Sequence, residues 1–266
     1  MITVRSLHIY PVKSCRGIDV DAAEVAATGL RYDRQWMVTG LDGGFLSQRS
    51  HPELTRVTTR LDGDHLIIAV PGRSALEVPL EGPTGDPRSV TVWNDTCEAT
   101  TAGPEAADWF SSLLEVPCEL VRQPESGNRQ VDTRHAAPGD RVGFADGFPF
   151  LLISRASVDE LNRRLERDVP ADRFRANIVV EGCGAHAEDE WSAITIGEVD
   201  FRVAKPCARC VVITTDQLRG TRSAEPLRTL ARYRTTNGKI LFGQNLVHRG
   251  TGLVQVGDEV VAIARR

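Results

Sequence analysis

A mainly β fold with some helix, of the α+β class and built as barrels or sandwiches, is predicted by three features of this 266-residue chain. Short segments rich in Val, Ile and Thr recur from end to end. Gly, Pro, Asp and Asn punctuate them as turns do. Against that background three segments carry the apolar period of a helix.

The N-terminal "ITVRSLHIY" alternates apolar and polar residues like a half-buried strand, and lacks the apolar core and small-residue cleavage site of a secretory signal. "QWMVTG" leads into "LDGG" at 41–44, where Asp-Gly tolerates the positive φ of a hairpin turn. "LDGDH" at 61–65 is a second such turn, followed by "HLIIAV" and then "SVTVW". In "PEAADWFSSLLEV", Pro104 suits a first-turn position, and Ala106, Trp109, Phe110, Leu113 and Leu114 share one helical face. The strand "CELVR" precedes the polar stretch from Arg122 to Gly147, which has no periodicity and reads as a domain junction or a long active-site loop. "SVDELNRRLERD" predicts a second helix, with Ser157 and Glu160 at capping-box spacing and Val158, Leu161 and Leu165 as its apolar stripe. Strands over "ANIVVEG", "AITIG", "VDFRVA" and "VVITT" follow. A third helix over "AEPLRTLARYR" and a last strand over "EVVAIA" complete the chain.

A chain of this length buries a core without disulfide staples. Its formal net charge of -4 gives no general attraction to nucleic acid or anionic membrane, so neither is an expected partner. The longest apolar run, near "FPFLLI", falls far short of the roughly 20 residues of a membrane helix. The expected compartment is the cytoplasm, with thiols reduced. Only three of the 32 basic residues are lysines, Lys13, Lys205 and Lys239. Two of these stand in the stretches that carry the functional argument.

The most informative of those stretches is "AKPCARCVVITTD", Ala204 to Asp216. A closed zinc site needs four ligands, normally two cysteine pairs or one pair with two histidines. Cys15, Cys97, Cys118 and Cys183 are scattered singly, and no histidines are paired, which argues against zinc. A redox dithiol belongs at a helix N-terminus. The β-branched run after Cys210 predicts strand instead. A single reactive thiolate is a third reading: Pro206 enforces an extended approach, and Lys205 and Arg209 supply positive charge. Spacing alone leaves that reading open beside a bland one, in which both cysteines are small buried hydrophobes.

Five blocks, in order, carry a resemblance. "KPCARCVVITTD" with "EPLRTLARYR", "LFGQN" and "VQVGDEVVAI" is similar to the MOSC domain. "IYPVKSCRGIDVDAAEVAATGLRYDRQWMV" resembles the β-barrel module that precedes that domain in the mitochondrial amidoxime-reducing component and its bacterial relatives, and "RFRANIVVEG" and "FADGFPFLLIS" match stretches between. The resemblance runs from about Leu7 to Ile263, weakly over 60–130. It implies an N-terminal β-barrel-like module over 1–122 packed on a C-terminal MOSC β-barrel over 123–266.

The resemblance also implies a molybdenum cofactor, molybdenum on a pterin dithiolene, with Cys210 as the metal ligand and catalytic sulfur. Cys207 is its neighbour, and Ala208 and Arg209 between them are expected at the cofactor. Lys13, Ser14 and Arg34 are expected to supply cationic and hydroxyl donors to the phosphate. Arg175 and Asn177 offer a forked donor and an amide to the pterin, and Asp146 is a further contact. Taken singly, each has an ordinary alternative as a solvated surface group. The implied activity is reduction of small N-hydroxylated compounds such as amidoximes, hydroxylamines and N-hydroxylated bases. The plant-type Cys-x4-Cys-x2-Cys spacing is absent, so no iron–sulfur cluster is expected in this chain, and the expected electron donor is a separate protein of ferredoxin, flavoprotein or cytochrome type. The targeting and membrane segment of the mitochondrial relative is not expected here. The alternative is a non-catalytic carrier of molybdenum cofactor or sulfur that uses Cys210.

Overall fold

Alternation in Thr3–Ile9 buries Val4, Leu7 and Ile9 on one face, and this strand pairs antiparallel with Ile178–Glu181. The computed structural model describes residues 1–82 and 85–265. Among these, nine strands form one curled sheet. Its order runs from Val260–Arg265 through Trp191–Ile196, Val199–Ala208, Lys239–Arg249, Phe150–Ser154, Ile178–Glu181 and Thr3–Ile9 to Ile18–Val20. The short strand Thr235–Thr236 pairs off this path against Lys239–Arg249.

Neighbours in that sheet are antiparallel except Phe150–Ser154 and Ile178–Glu181. A parallel pair needs a crossover, because the chain must return to the same end before pairing again. Residues 155–177 supply it, through the α-helix Arg155–Asn162 and the 3-10 turn Ala171–Phe174. The crossover ends by delivering Arg175 and Asn177.

A four-stranded sheet of Trp36–Gly40, Cys118–Arg122, Asp95–Thr101 and Pro87–Val92 forms much of the N-terminal part. The helix Pro104–Leu114 closes over it with Ala106, Phe110 and Leu114 buried and Pro104 in the first turn, where its missing N–H is harmless. The hairpin strands Thr58–Asp62 and His65–Ala69, joined by Leu76–Pro79, add Leu66, Ile68, Leu76 and Val78 to the same core. Both Asp-Gly turns form, with Gly43 at φ 78° and Gly63 at φ 57°. The fold is therefore mainly β with three α-helices among the described residues.

Three elements differ from the sequence expectation. Val211–Thr214 is a 3-10 turn rather than a strand. Ile213 turns into the cluster of Leu230 and Phe242, and the Ile213 N–H returns to the Cys210 carbonyl at 3.3 Å; packing overrides β propensity there. The second helix spans Arg155–Asn162, beginning two residues before the expected Ser157, and is capped by Ser154, whose hydroxyl accepts from the Ser157 N–H at 3.1 Å. Finally, "LFGQN" lies inside the eleven-residue strand Lys239–Arg249, which its mixed composition concealed. Among the described residues no helix is long and apolar enough to cross a membrane.

Candidate functional site

The strand Val199–Ala208 ends at the cysteine pair. It carries Cys207 and Ala208, then the chain turns so that Arg209 donates its backbone N–H to Ile240 at 2.7 Å and Cys210 precedes the 3-10 turn. Beside them opens a cleft enclosing about 860 Å³ of empty space that is continuous with solvent. Lys13, Ser14, Arg34, Asp146, Arg175, Asn177, Cys207, Ala208, Arg209 and Cys210 all line it. These ten residues come from five separate stretches of chain.

Two guanidinium groups stack on one ring. The Arg34 and Arg175 carbons lie 4.1 and 4.3 Å from the centre of Tyr10. Arg34 is neutralised by Asp33, with Nη1 at 2.8 and 2.7 Å from its two oxygens, and its Nη2 donates to the Arg175 carbonyl at 3.0 Å. Arg175 donates to the Cys15 carbonyl at 2.6 Å, and no ion pair holds it among the described residues. Burial, and then the charge of Arg34, bring its pKa down to about 10. An arginine whose charge is that poorly compensated is electrostatically prepared for an anion. Burial also pushes the Tyr10 phenol up to about 12.

Arg209 is a second such cation. Nη1 donates to Cys207 Sγ at 3.0 Å and Nη2 to the Phe174 carbonyl at 2.8 Å, while its buried Nε has no hydrogen-bond acceptor among the described residues. A buried N–H of that kind is one an oxyanion would satisfy.

Lys13 is differently placed. Its ammonium is buried, donates to Asp146 Oδ1 at 2.6 Å and to the Phe144 carbonyl at 2.7 Å, and lies 4.9 Å over the Phe45 ring. Two of its three donors are thus committed to the protein. Burial lowers its pKa, and Asp146 opposes that drop. The Asp146 side chain stays 60% exposed in the cleft. The surrounding walls desolvate its carboxyl, which favours the neutral acid, but Lys13 and then Arg49 outweigh this and hold it well below the usual carboxylate range.

Asn177 turns its amide to the protein. Its Oδ1 accepts from the Leu151 N–H and its Nδ2 donates to the His8 carbonyl, each at 3.2 Å. It pins three strands of the long sheet at the edge of the cleft. Ser14 is set by Gln48, whose Nε2 donates to its carbonyl at 2.7 Å and which exchanges hydrogen bonds with Gln217.

Backbone strain gathers here. Ser14, Arg34 and Arg175 line the cleft with φ of 70°, 47° and 55°, and Trp93 near its rim has φ 59°. A left-handed conformation costs a non-glycine residue about 1 kcal/mol or more, and such residues persist where the surroundings over-determine them, often at functional sites.

Two residues escaped sequence reasoning. Arg49 places Nη2 at 3.2 Å from Cys210 Sγ. Arg129 is buried and donates to the carbonyls of Gly143, Ala145 and Asp146 and to Asp95, which fixes the end of the long polar loop where Ala145, Asp146, Gly147 and Phe148 enter the cleft. Nothing local distinguishes either from the other arginines. No group of three His, Cys, Asp or Glu side chains able to hold a metal occurs among the described residues, so a metal at Cys210 would need ligands beyond the protein.

Two family models match the chain in succession. Residues 1–117 match the MOSC N-terminal beta barrel domain and residues 139–261 the MOSC domain. The mitochondrial amidoxime-reducing component 1 of Mus musculus is 36% identical over 281 residues, covering 99% of this chain and 83% of the relative; that of Homo sapiens is 36% identical over 283 residues with the same coverage. A molybdenum cofactor sulfurase of Arabidopsis thaliana is 33% identical over 97% of this chain and 35% of its own length.

Proposed function

The chain belongs to the family of MOSC proteins that carry the N-terminal β-barrel module, and on that premise we propose that it is a molybdenum-cofactor oxidoreductase that reduces N-hydroxylated compounds. The observation that carries the reading is the meeting, in one cleft, of two thiols with Arg175 and Arg209, two cations that form no ion pair with a carboxylate among the described residues.

Those residues fit the group. A soft sulfur at Cys210 suits molybdenum. Arg175, Arg209 and Arg34 suit an oxyanion such as a terminal phosphate, and the unsatisfied Nε of Arg209 is an open donor for it. Ser14 and the Ala208 backbone would complete the cradle. Lys13 and Asp146 act on each other first, so their part is to set the charge and shape of the wall. Asn177 holds the strands that form the edge. When bound, the cofactor would supply the two-electron chemistry that cleaves an N–O bond; the protein holds it, shapes access and keeps the Cys210 sulfur in place. The electrons would come from a separate donor protein.

A second reading is favoured by the sulfurase relatives and by the second thiol: a carrier that receives cofactor or sulfur at Cys210 without turnover. Metal analysis of freshly isolated protein decides between them, together with reduction of benzamidoxime by a chemical electron donor. Stoichiometric molybdenum, lost in Cys210→Ser and kept in Cys207→Ser, with turnover in the wild type supports the enzyme. Persulfide on Cys210 without molybdenum supports the carrier.

A further inference from the structure

We propose that Arg49 is a positioning residue for the Cys210 sulfur, held on the face of the Trp93 indole so that one guanidinium N–H stays aimed at Sγ. Nη2 lies 3.2 Å from that sulfur, across 161 positions of sequence. The guanidinium carbon sits 4.7 Å from the centre of the Trp93 ring, and Nη2 is 3.8 Å from Asp146 Oδ2. A planar cation on an indole face, with a carboxylate at its edge, loses most of its freedom to turn away.

Its backbone is fixed as well. Arg222 donates to the carbonyls of Gln48 and Arg49, and the Arg49 N–H reaches the Ser47 hydroxyl at 3.2 Å. Trp93 takes a left-handed backbone at φ 59°, half exposed, with Phe45 braced edge-on against it at 5.3 Å and 67°. Beside its edge contact with Phe45 and its side-chain hydrogen bond to Asp146, the half-exposed indole offers its face as a shelf for Arg49. Asp146 in turn is fixed by Lys13, so the row Lys13, Asp146, Arg49, Cys210 alternates cation, anion, cation, sulfur.

The two cysteines are consequently not equivalent. Cys207 is held by Arg209, two residues away and just past the strand's end. Cys210 is tied to a loop from the other half of the chain. A hydrogen bond to a thiolate draws density from sulfur and weakens its donation to any metal it binds, which is how outer groups tune sulfur-ligated centres. That effect on turnover rests on the function proposed above; the contact itself does not.

The test therefore uses metal-free protein. In a Cys207→Ser background, alkylation of Cys210 by iodoacetate and by iodoacetamide is followed by mass spectrometry at one pH and low salt, and the ratio of the two rates is taken. Arg49→Met should lower the iodoacetate preference by about threefold or more, as one unit charge a few ångströms away in a partly wet site requires. Arg49→Lys, which keeps the charge, should recover part of it. Trp93→Leu changes no charge and should lower the ratio because the guanidinium is no longer held. An unchanged ratio in folded Arg49→Met, or in Trp93→Leu, overturns the proposal. If wild-type protein binds no molybdenum, the proposed function fails while the ratio still decides the role of Arg49.

Discussion

The Lys13 ammonium lies 2.6 Å from the Asp146 carboxylate and joins the N-terminal Val-Lys-Ser turn to the end of the long polar loop. Because Lys13 is buried and Asp146 is not, each is anchored by the other unequally. Asp146→Asn should destabilise the metal-free protein by about 1 to 2 kcal/mol at neutral pH, the value being discounted for the exposed carboxylate. The sign with pH follows from the depressed Asp146 pKa. Its stabilisation is present above the ordinary carboxylate value of about 4 and is lost as pH falls below it. Urea unfolding from pH 7 to pH 3 should show a shallower acid loss in Asp146→Asn than in wild type.

Tyr10 makes the opposite prediction on the alkaline side. Its phenol is pushed up to about 12 by burial, so the native state keeps the proton after the unfolded chain has lost it. The stabilisation is complete below about pH 10 and is lost between pH 10 and 12, amounting to about 2 kcal/mol. Tyr10→Phe keeps the ring between Arg34 and Arg175 and removes the titration. Its stability should fall less than that of wild type over that interval in denaturant titrations.

Asn177→Ala should lower the stability of metal-free protein by about 2 kcal/mol, because it leaves the Leu151 N–H and the His8 carbonyl without their side-chain partner in a buried setting. A melting temperature unchanged in the metal-free variant, with only cofactor retention lost, would instead assign Asn177 to the ligand.

The start of the second helix gives a local prediction. Ser154→Ala removes the cap hydroxyl and should cost about 1 to 2 kcal/mol. Glu160→Ala, which a capping box would make costly, should leave the unfolding midpoint nearly unchanged, since Glu160 pairs on the surface with Arg163 and Arg164. Equilibrium unfolding of both variants separates the two accounts.

These cases show what was legible in the chain. The strand-and-turn rhythm was, because alternation in segments such as Thr3–Ile9 and Asp-Gly at 62–63 report local geometry directly. The positions at 13, 14, 34, 146, 175, 177 and 207–210 stood in recognisable blocks, and they do gather in one cleft. Arg49 and Arg129 stood in no such block; among 29 arginines only the folded neighbourhood singles them out. The left-handed backbone at Ser14, Arg34 and Arg175 was equally hidden, since each is imposed by tertiary contacts. Ile213 misled because burial against Leu230 and Phe242 outweighs the strand preference of its neighbours.

Residues 2–4 bond to residues 257–260, and the opening strand is completed only by Ile178–Glu181. During synthesis the first segment must therefore wait, unpaired on that edge, until residues 178–181 have left the ribosome. Such distant pairings slow folding and expose sticky edges meanwhile. A nascent N-terminal half has no pocket to offer, so whatever the finished protein carries is loaded only once the residues through Asn245 have been made.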